Sequence, residues 1–326
     1  MLFEDQHPLN KQIMIAVLGK PNAGKSSLVN QLLGFDLSIV TPKAQTTRNK
    51  FHCVFTVDRT EVVLVDTPGI HKSSQEMNKR MIGQAQEGVH GTDLNFILVD
   101  LSGDVVNDFA DVVKSFTEAL GPTWVIFNKS DVTRLSDEKI QAAFLQMKEI
   151  LPTLEAFYKI SAKEGDDVHL LTGAIVDRAQ SRKHLYPDGE VSNKSERFFV
   201  SEFIREQLFL ILREELPYEC AVTIEEFKDY RQVKFKQPGD EQLAARISAT
   251  IIVNRPSQRA IVIGRSGMGI KDIGTAARKK IEAMLQGQVY LNLHVKVKPK
   301  WFKSNFILEE LGLPRVEGSA RVWRRT

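Results

Sequence analysis

The chain of 326 residues is 42% hydrophobic and 26% charged, ordinary for a soluble globular protein and long enough for two domains with full cores. No apolar run approaches the roughly 18 to 20 residues of a membrane span; Met1, Leu2, Phe3, Glu4 and Asp5 resemble neither a signal peptide nor an Arg-rich transit peptide; and two distant cysteines, Cys53 and Cys220, read as free thiols of a reducing compartment, so a cytosolic protein is expected. The net charge of +3 conceals an asymmetry, because residues 1–180 hold 18 basic and 23 acidic side chains while residues 181–326 hold 26 basic and 18 acidic, and a basic half calls for nucleic acid or an anionic membrane surface.

Ile13 to Leu18 is an unbroken apolar run, the mark of a buried parallel strand. It leads into Gly19-Lys20-Pro21-Asn22-Ala23-Gly24-Lys25-Ser26, which fits G-x-x-x-x-G-K-[ST]. Ser27 to Leu33 then repeat apolar residues at helical spacing until Gly34. A glycine-rich loop between a strand and a helix N-terminus can turn its N–H groups inward around phosphate oxygens, where the helix end adds partial positive charge. Lys25 is placed to reach the β- and γ-phosphates and Ser26 to give its hydroxyl to Mg²⁺. Phe35 to Lys50, with Thr41-Pro42 and Gln45-Thr46-Thr47-Arg48, reads as a loop. A threonine here would complete the Mg²⁺ shell, and Thr46 and Thr47 are equal candidates. Val62 to Val65 form another buried strand, ending at Asp66-Thr67-Pro68-Gly69. Asp66 is the second Mg²⁺ anchor, directly or through water, and Gly69 permits close approach to a γ-phosphate.

Strands are predicted over Asn95–Val99 and Thr123–Phe127, the latter running into Asn128-Lys129-Ser130-Asp131. Asp131 can accept from the N1–H and exocyclic amine of guanine, which adenine does not offer; Lys129 can lay its stem over the ring, and Asn128 can tie the loop to the P-loop. A strand near Ala156–Ile160 leads to Ser161-Ala162-Lys163, where a backbone N–H can meet guanine O6. These four strand-end motifs, in this order, are together the signature of the GTPase superfamily. They imply an α/β doubly wound, mostly parallel sheet with the ligand at the strand carboxyl ends. Ser27 and Ile70 extend the expected contact set. Ile70 stands where a Ras-like protein carries the glutamine that orients the attacking water. Slow intrinsic hydrolysis is therefore expected, with the water placed by backbone, a metal ion or a partner. The seven histidines have no paired metal spacing, and no cysteine cluster exists.

Ser181 to Arg197 reads as a linker or ordered connector. Phe198 to Leu212 has a helical pattern offering Phe199, Phe203, Leu208, Leu210 and Ile211 to a core. Ala221–Tyr230 and Leu243–Val253 read as a hairpin around a Gln237-Pro238-Gly239-Asp240 turn. Ile263-Gly264-Arg265-Ser266-Gly267, followed by Ile270 and Lys271 on a basic helix, is the Gly-x-x-Gly arrangement with which a KH domain clamps about four nucleotides of RNA. Leu291, Leu293, Val295 and Val297 alternate as a closing strand, and Lys296, Lys298, Lys300, Trp301 and Lys303 form a basic run with one aromatic that can touch RNA. A last helix is predicted over Phe306–Leu311, before a basic tail.

A P-loop GTPase followed by a KH domain resembles the bacterial Era GTPases. The likeness rests on Gly19 to Ser27, Gln45 to Arg48, Asp66 to Gly69, Asn128 to Asp131, Ser161 to Lys163, Phe203-Ile204-Arg205-Glu206, Glu214 to Tyr218, Gly264 to Gly274 and Leu311-Gly312. Arg265-Ser266 departs from the Lys-Gly frequent in that family but keeps both loop glycines. The resemblance implies a lead over 1–12, a GTPase domain over 13–180, a linker over 181–197, an α+β KH (type II) domain over 198–312 and a basic tail over 313–326. It also implies a monomeric GTP-controlled factor, with Mg²⁺ and GTP or GDP as ligands. Such a factor grips the 3′ end of small-subunit ribosomal RNA, acts in small-subunit assembly and touches the inner membrane peripherally. Asn22 resembles the asparagine with which related GTPases hold K⁺ near the phosphates. Three readings compete: a GTPase whose turnover times release from RNA, an RNA-binding module for which GTP is a conformational ligand, and a membrane-surface GTPase. Thr41–Lys50 and Ile70–Gly91 are expected to reorder between GTP and GDP and to bias the KH domain.

Overall fold

Parallel strands buried on both faces form the centre of the first half, as the unbroken apolar runs require. The structure is a computed structural model describing residues 7–43, 46–70, 76–133, 135–233 and 242–315. It divides into two units, Met1–Lys194 and Ser195–Thr326. In the first unit the strands are β1 (Lys11–Gly19), β2 (Phe51–Val57), β3 (Thr60–Asp66), β4 (Leu94–Asp100), β5 (Thr123–Asn128) and β6 (Leu154–Lys159). They lie in the order β2-β3-β1-β4-β5-β6, parallel except for the β2–β3 hairpin. The helices are α1 (Lys25–Leu33), α2 (Glu76–Glu87), α3 (Val105–Lys114), α4 (Asp137–Ile150) and α5 (Val168–Arg178). Phe109 of α3 and Phe144 and Met147 of α4 close over Ile97, Val125 and Phe127 in one core cluster. The strand order reverses at β1, which has β3 on one side and β4 on the other. Such a switch point opens a crevice beyond the strand carboxyl ends, and the P-loop leaves β1 there.

Strand β2 went unassigned in the sequence. Its signal was the enrichment of Phe51, Val54, Phe55 and Val57 before a tight turn in which Asp58 has φ 52°. As an edge strand, β2 has backbone groups to satisfy, and the expected connector satisfies them. The short strand β7 (Gln180–Ser181) pairs antiparallel with β1. Arg182 then forms an ion pair of 2.7 Å with Asp93. The buried Glu61 carboxylate accepts the N–H groups of Leu185 (2.7 Å) and Tyr186 (2.9 Å). Val54 N–H donates to the Val191 carbonyl, and His52 N–H to Asn193 Oδ1, both at 2.9 Å. Residues 181–194 are thus stitched onto the first unit.

The second unit runs α6 (Glu196–Ile211), β8 (Ala221–Asp229), β9 (Leu243–Val253), α7 (Pro256–Ile263), α8 (Met268–Leu285), β10 (Gln288–Val297) and α9 (Asn305–Glu310). Its sheet has the order β10-β9-β8, with β8 antiparallel and β10 parallel to β9. Phe199, Phe203 and Leu208 of α6 and Ile273, Ala277 and Ile281 of α8 are buried, and the two helices contact one another and the sheet. A half-buried ion pair of 2.8 Å joins Lys280 of α8 to Glu206 of α6. Two sequence expectations need correction. Leu210 and Ile211 are exposed although helical spacing sets them on the faces of Phe203 and Ile204, because they are the last two residues of α6 and lie past its buried stretch, which ends at Phe209. Trp301 is buried with its Nε1–H on the Glu219 carbonyl at 2.8 Å, so it anchors the strand exit and does not face RNA. The turn expected at 237–240 and the tail from 316 onward lie outside the described residues.

Glu61→Ala would leave two buried N–H groups without an acceptor, at a cost of about 1–3 kcal/mol, whereas Glu61→Gln keeps one acceptor oxygen. Denaturant melts should rank wild type, Glu61→Gln and Glu61→Ala in falling stability, with faster proteolysis after Arg182 or Lys183 in the alanine variant. Equal stability of all three would mean that Glu61 does not hold the connector.

Candidate functional site

The P-loop is shaped from behind by one side chain. Asn128, at the end of β5, is buried and donates from Nδ2 to the Ala23 carbonyl at 2.8 Å, while its Oδ1 accepts Ala162 N–H at 2.9 Å. It lies so close that a Cβ on Gly24 would fall 2.1 Å from Nδ2, so only glycine fits there. Lys25 is buried, with Nζ donating to the carbonyls of Gly19 (3.1 Å) and Lys20 (3.0 Å). Burial pulls Lys25 down to about 8 despite the Asp66 charge. Asp66 is pushed up to about 6 by burial, against the pull of Lys25 and hydrogen bonds from Ser38 and Ser26. A phosphate beside Lys25 and a cation beside Asp66 would each relieve these costs.

Ser26 Oγ lies 3.0 Å from Thr47 Oγ1 and 3.3 Å from Asp66 Oδ2. Asp66 Oδ1 is buried with no hydrogen-bond partner among the described residues. Two hydroxyls and a carboxylate, the last with its second oxygen orphaned, fit a hard divalent cation such as Mg²⁺. The hydroxyl of Thr46 is turned elsewhere, to Thr41 Oγ1 and the Lys43 carbonyl, each at 2.9 Å. Thr47 is therefore the threonine that the fold brings to Ser26. The Lys20 side chain points away to α3, bonded to Asp108 and Asp111 at 2.7 Å. Asn22, at φ 64°, donates to the Pro42 carbonyl at 3.4 Å. Thr67 Oγ1 donates to the Val17 carbonyl at 2.7 Å. Gly69 sits against Pro21, and buried Ile70 donates its N–H to the Gly19 carbonyl at 3.1 Å. Lys50 ties the Thr41–Lys50 stretch to α2 through Gln84 (3.3 Å) and Glu87 (2.9 Å); residues 44–45 and 71–75, within the two stretches expected to reorder, lie outside the described residues.

At the base end, Ser161 Oγ donates to Asp131 Oδ1 at 2.7 Å, leaving the other carboxylate oxygen for a ligand. Lys129 has φ 68° and is paired with Asp100 at 2.5 Å. Ala162 and Lys163 open onto a cavity of about 350 Å³ shared with Ser27, Gln31, Phe35 and Asp36. That volume lies in the usual range for a small-molecule site. Sequence reasoning missed Phe35 and Asp36; an exposed aromatic directly after the helix-ending Gly34 was the available signal.

In the second unit, the Gly-x-x-Gly stretch is a tight crossing between α7 and α8. A Cβ on Gly264 would lie 2.7 Å from the nitrogen of Gly269, and one on Gly269 would lie 2.8 Å from the Val262 carbonyl. Gly269 was not singled out from sequence. Gly267, at φ 78°, differs, since nothing lies within 4 Å of a Cβ there and its backbone faces open space. Arg265, Ser266 and Lys271 are exposed, while Ile263 and Ile270 are half-buried. Leu293 of β10 sits against Gly274 of α8, and Leu291, Leu293 and Val295 are only half covered because β10 is an edge strand. An apolar groove beside a basic, glycine-edged loop suits unpaired nucleotides.

Family models match in the same places. One described as a 50S ribosome-binding GTPase covers residues 14–129, and one described as a KH domain covers residues 215–302. GTPase Era of Crocosphaera subtropica is 34% identical over 310 residues, 94% of this chain and 93% of that protein. The chain belongs to the GTPase Era family. GTPase Era of Nitratidesulfovibrio vulgaris is 37% identical, covering 92% of this chain and 96% of its own length. Among solved structures, Era in complex with MgGDPNP and nucleotides 1506–1542 of 16S ribosomal RNA superposes with a TM-score of 0.83 at 28% identity, covering 94% of this chain and 99% of that one. A point variant of Aquifex aeolicus Era bound to GDP·AlF4⁻ gives 0.82 at 28% identity, with 93% and 99% covered. The Era fold thus accounts for both units.

Asp131→Asn replaces the carboxylate acceptor with an amide. Charge-assisted hydrogen bonds are worth about 1.5–3 kcal/mol, so GTP affinity should fall about ten- to hundredfold while XTP affinity rises. Fluorescence titration with both nucleotides checks this, and an unchanged GTP affinity would move guanine recognition away from Asp131.

Proposed function

We propose that this protein is a slow, Mg²⁺-dependent GTPase that binds the 3′ end region of small-subunit ribosomal RNA through its KH loop and acts in small-subunit maturation as a cytoplasmic monomer. The observation that carries the reading is the pairing, on one chain, of a guanine-nucleotide crevice with the open Gly264–Gly267 loop and its apolar groove. The 16S fragment in the structural neighbour supports small-subunit RNA. The 50S description belongs to a model matching residues 14–129 only, which do not include the loop.

In this reading the P-loop N–H groups and Lys25 hold the phosphates, and Asp131, Lys129, Asn128 and the Ala162 N–H region hold guanine. Ser26, Thr47 and Asp66 hold Mg²⁺, which when bound neutralises charge on the β- and γ-phosphates. Ile70 offers no group to orient a water, which keeps intrinsic hydrolysis slow. Asn22, turned toward the 41–43 loop, is the side chain proposed to hold K⁺ there. Its amide oxygen is a suitable donor, and its Nδ2 contact with Pro42 keeps it beside that loop. Hydrolysis should then be several-fold faster in K⁺ than in Na⁺, and Asn22→Ala should abolish the difference; equal rates in both salts for the wild type would remove this role.

The test of the main reading is binding of a short RNA copying the 3′ end of small-subunit ribosomal RNA, with GTP analogue and with GDP, across a salt series. Binding that favours the GTP form and outlasts a scrambled RNA at rising salt is expected, with Gly267→Asp losing RNA but not GTP. A parallel fall for both RNAs would reduce the contact to phosphate attraction. Preference for anionic vesicles over RNA would favour a peripheral membrane role for the basic half instead.

A further inference from the structure

The three-stranded sheet of the second unit has two faces. One is covered by α6 and α8, and it includes Leu291, Leu293 and Val295 of β10 opposite Ile247, Ala249 and Ile251 of β9. The other carries the alternate residues, Tyr290, Asn292, His294 and Lys296 of β10 opposite Arg246, Ser248, Thr250 and Ile252 of β9. At one end this face is closed, since Thr223, Thr250 and Ile252 are buried. At the other it is open, with Tyr290 46% exposed; along the β10 edge His294 and Lys296, opposite the buried Thr250 and Ile252, are also exposed.

The chemistry of the open part is unusual for a solvated sheet. The Arg246 guanidinium lies over the Tyr290 ring, 4.4 Å from its centroid. Beside them, Asn292 Nδ2 and His294 Nε2 are 3.0 Å apart. Among the described residues, Glu226 of β8, opposite Ser248, is paired with Lys228 at 3.0 Å. A planar cation on a phenol ring, an imidazole and an amide are groups that stack on bases and read their edges, and the lysines suit phosphates. A solvent-facing strand needs none of this; lysine, glutamate and threonine would serve.

Position adds a second argument. β10 is the edge strand, so it is a wall one strand thick between the groove on the α8 side and this open face. The groove accommodates about four nucleotides. A longer strand leaving it over the β10 edge meets Tyr290 and Arg246. From strand spacing and rise, the face spans roughly 10 by 13 Å, room for about two bases.

The geometry points to a second RNA subsite on this face, in which bases beyond the groove stack on the Arg246–Tyr290 pair and meet Asn292 and His294. The inference rests on the RNA-binding reading above. It is tested by anisotropy titration of the full chain with two labelled single-stranded RNAs, one of about four nucleotides that fills the groove and one extended to about ten. For the wild type the extension should tighten binding. Tyr290→Ala and Arg246→Ala should each weaken the longer RNA about tenfold, within the range found for loss of one base–aromatic stack. Both should leave the shorter RNA and GTP unaffected, and Tyr290→Phe should behave as wild type. Gly267→Asp should weaken both RNAs. If the extension adds no affinity, or if Tyr290→Ala and Arg246→Ala bind the longer RNA as wild type does, the subsite is wrong and the groove reading stands. If either alanine variant loses both RNAs equally, the effect is structural and the subsite is likewise overturned. If the wild type binds neither RNA, the RNA-binding reading itself fails.

Discussion

Much of the first unit depends on the buried Asn128 amide. It joins three strand ends: its own on β5, the P-loop after β1 through the Ala23 carbonyl, and the loop after β6 through Ala162 N–H. An amide is suited to this, because it donates from one atom and accepts at the other. Its nearness excludes any side chain at position 24 and so keeps a backbone lining on the phosphate site. Nucleotide-base recognition and phosphate recognition are thereby held in one frame, without a disulfide or a resident metal cluster among the described residues.

Around that frame the site keeps charges at a cost. Lys25 and Asp66 are both buried, and burial acts against the charged form of each. Such opposed demands are met by a ligand carrying phosphate and a divalent cation together, which is what Mg·GTP presents. The edge of the same sheet holds a different arrangement. β2, which follows the Thr41–Lys50 stretch directly, shares its free edge with residues 191–193, and Lys50 ties the start of β2 to α2. The segment that precedes the second unit is therefore hydrogen-bonded to the strand that follows the loop carrying Thr47.

The second unit solves a different problem with similar means. Where α7 meets α8, glycines at 264 and 269 let two backbones touch, and Gly267 is left facing outward. The edge strand β10 then serves twice, with its leucines toward the helices and its Tyr290–His294 row on the opposite face.

Much of this was legible from sequence for a physical reason. Motifs at strand ends are local: Gly19 to Ser26, Asp66 to Gly69, Asn128 to Asp131 and Gly264 to Gly267 declare their chemistry by residue type and spacing, and apolar runs place them after strands. Relations between distant segments were not legible, because periodicity reports which face is buried and not against what. That is why Thr46 and Thr47 could not be separated, why β2 and its pairing with the connector were missed, and why Leu210, Ile211 and Trp301 were misplaced. The sequence by itself determined two domains, a guanine-nucleotide signature and a KH-type loop. Only the tertiary structure decided that Thr47 meets Ser26, that Lys20 turns to α3, that Phe35 lines the cavity and that Arg246 lies on Tyr290, since each depends on two segments brought together by packing.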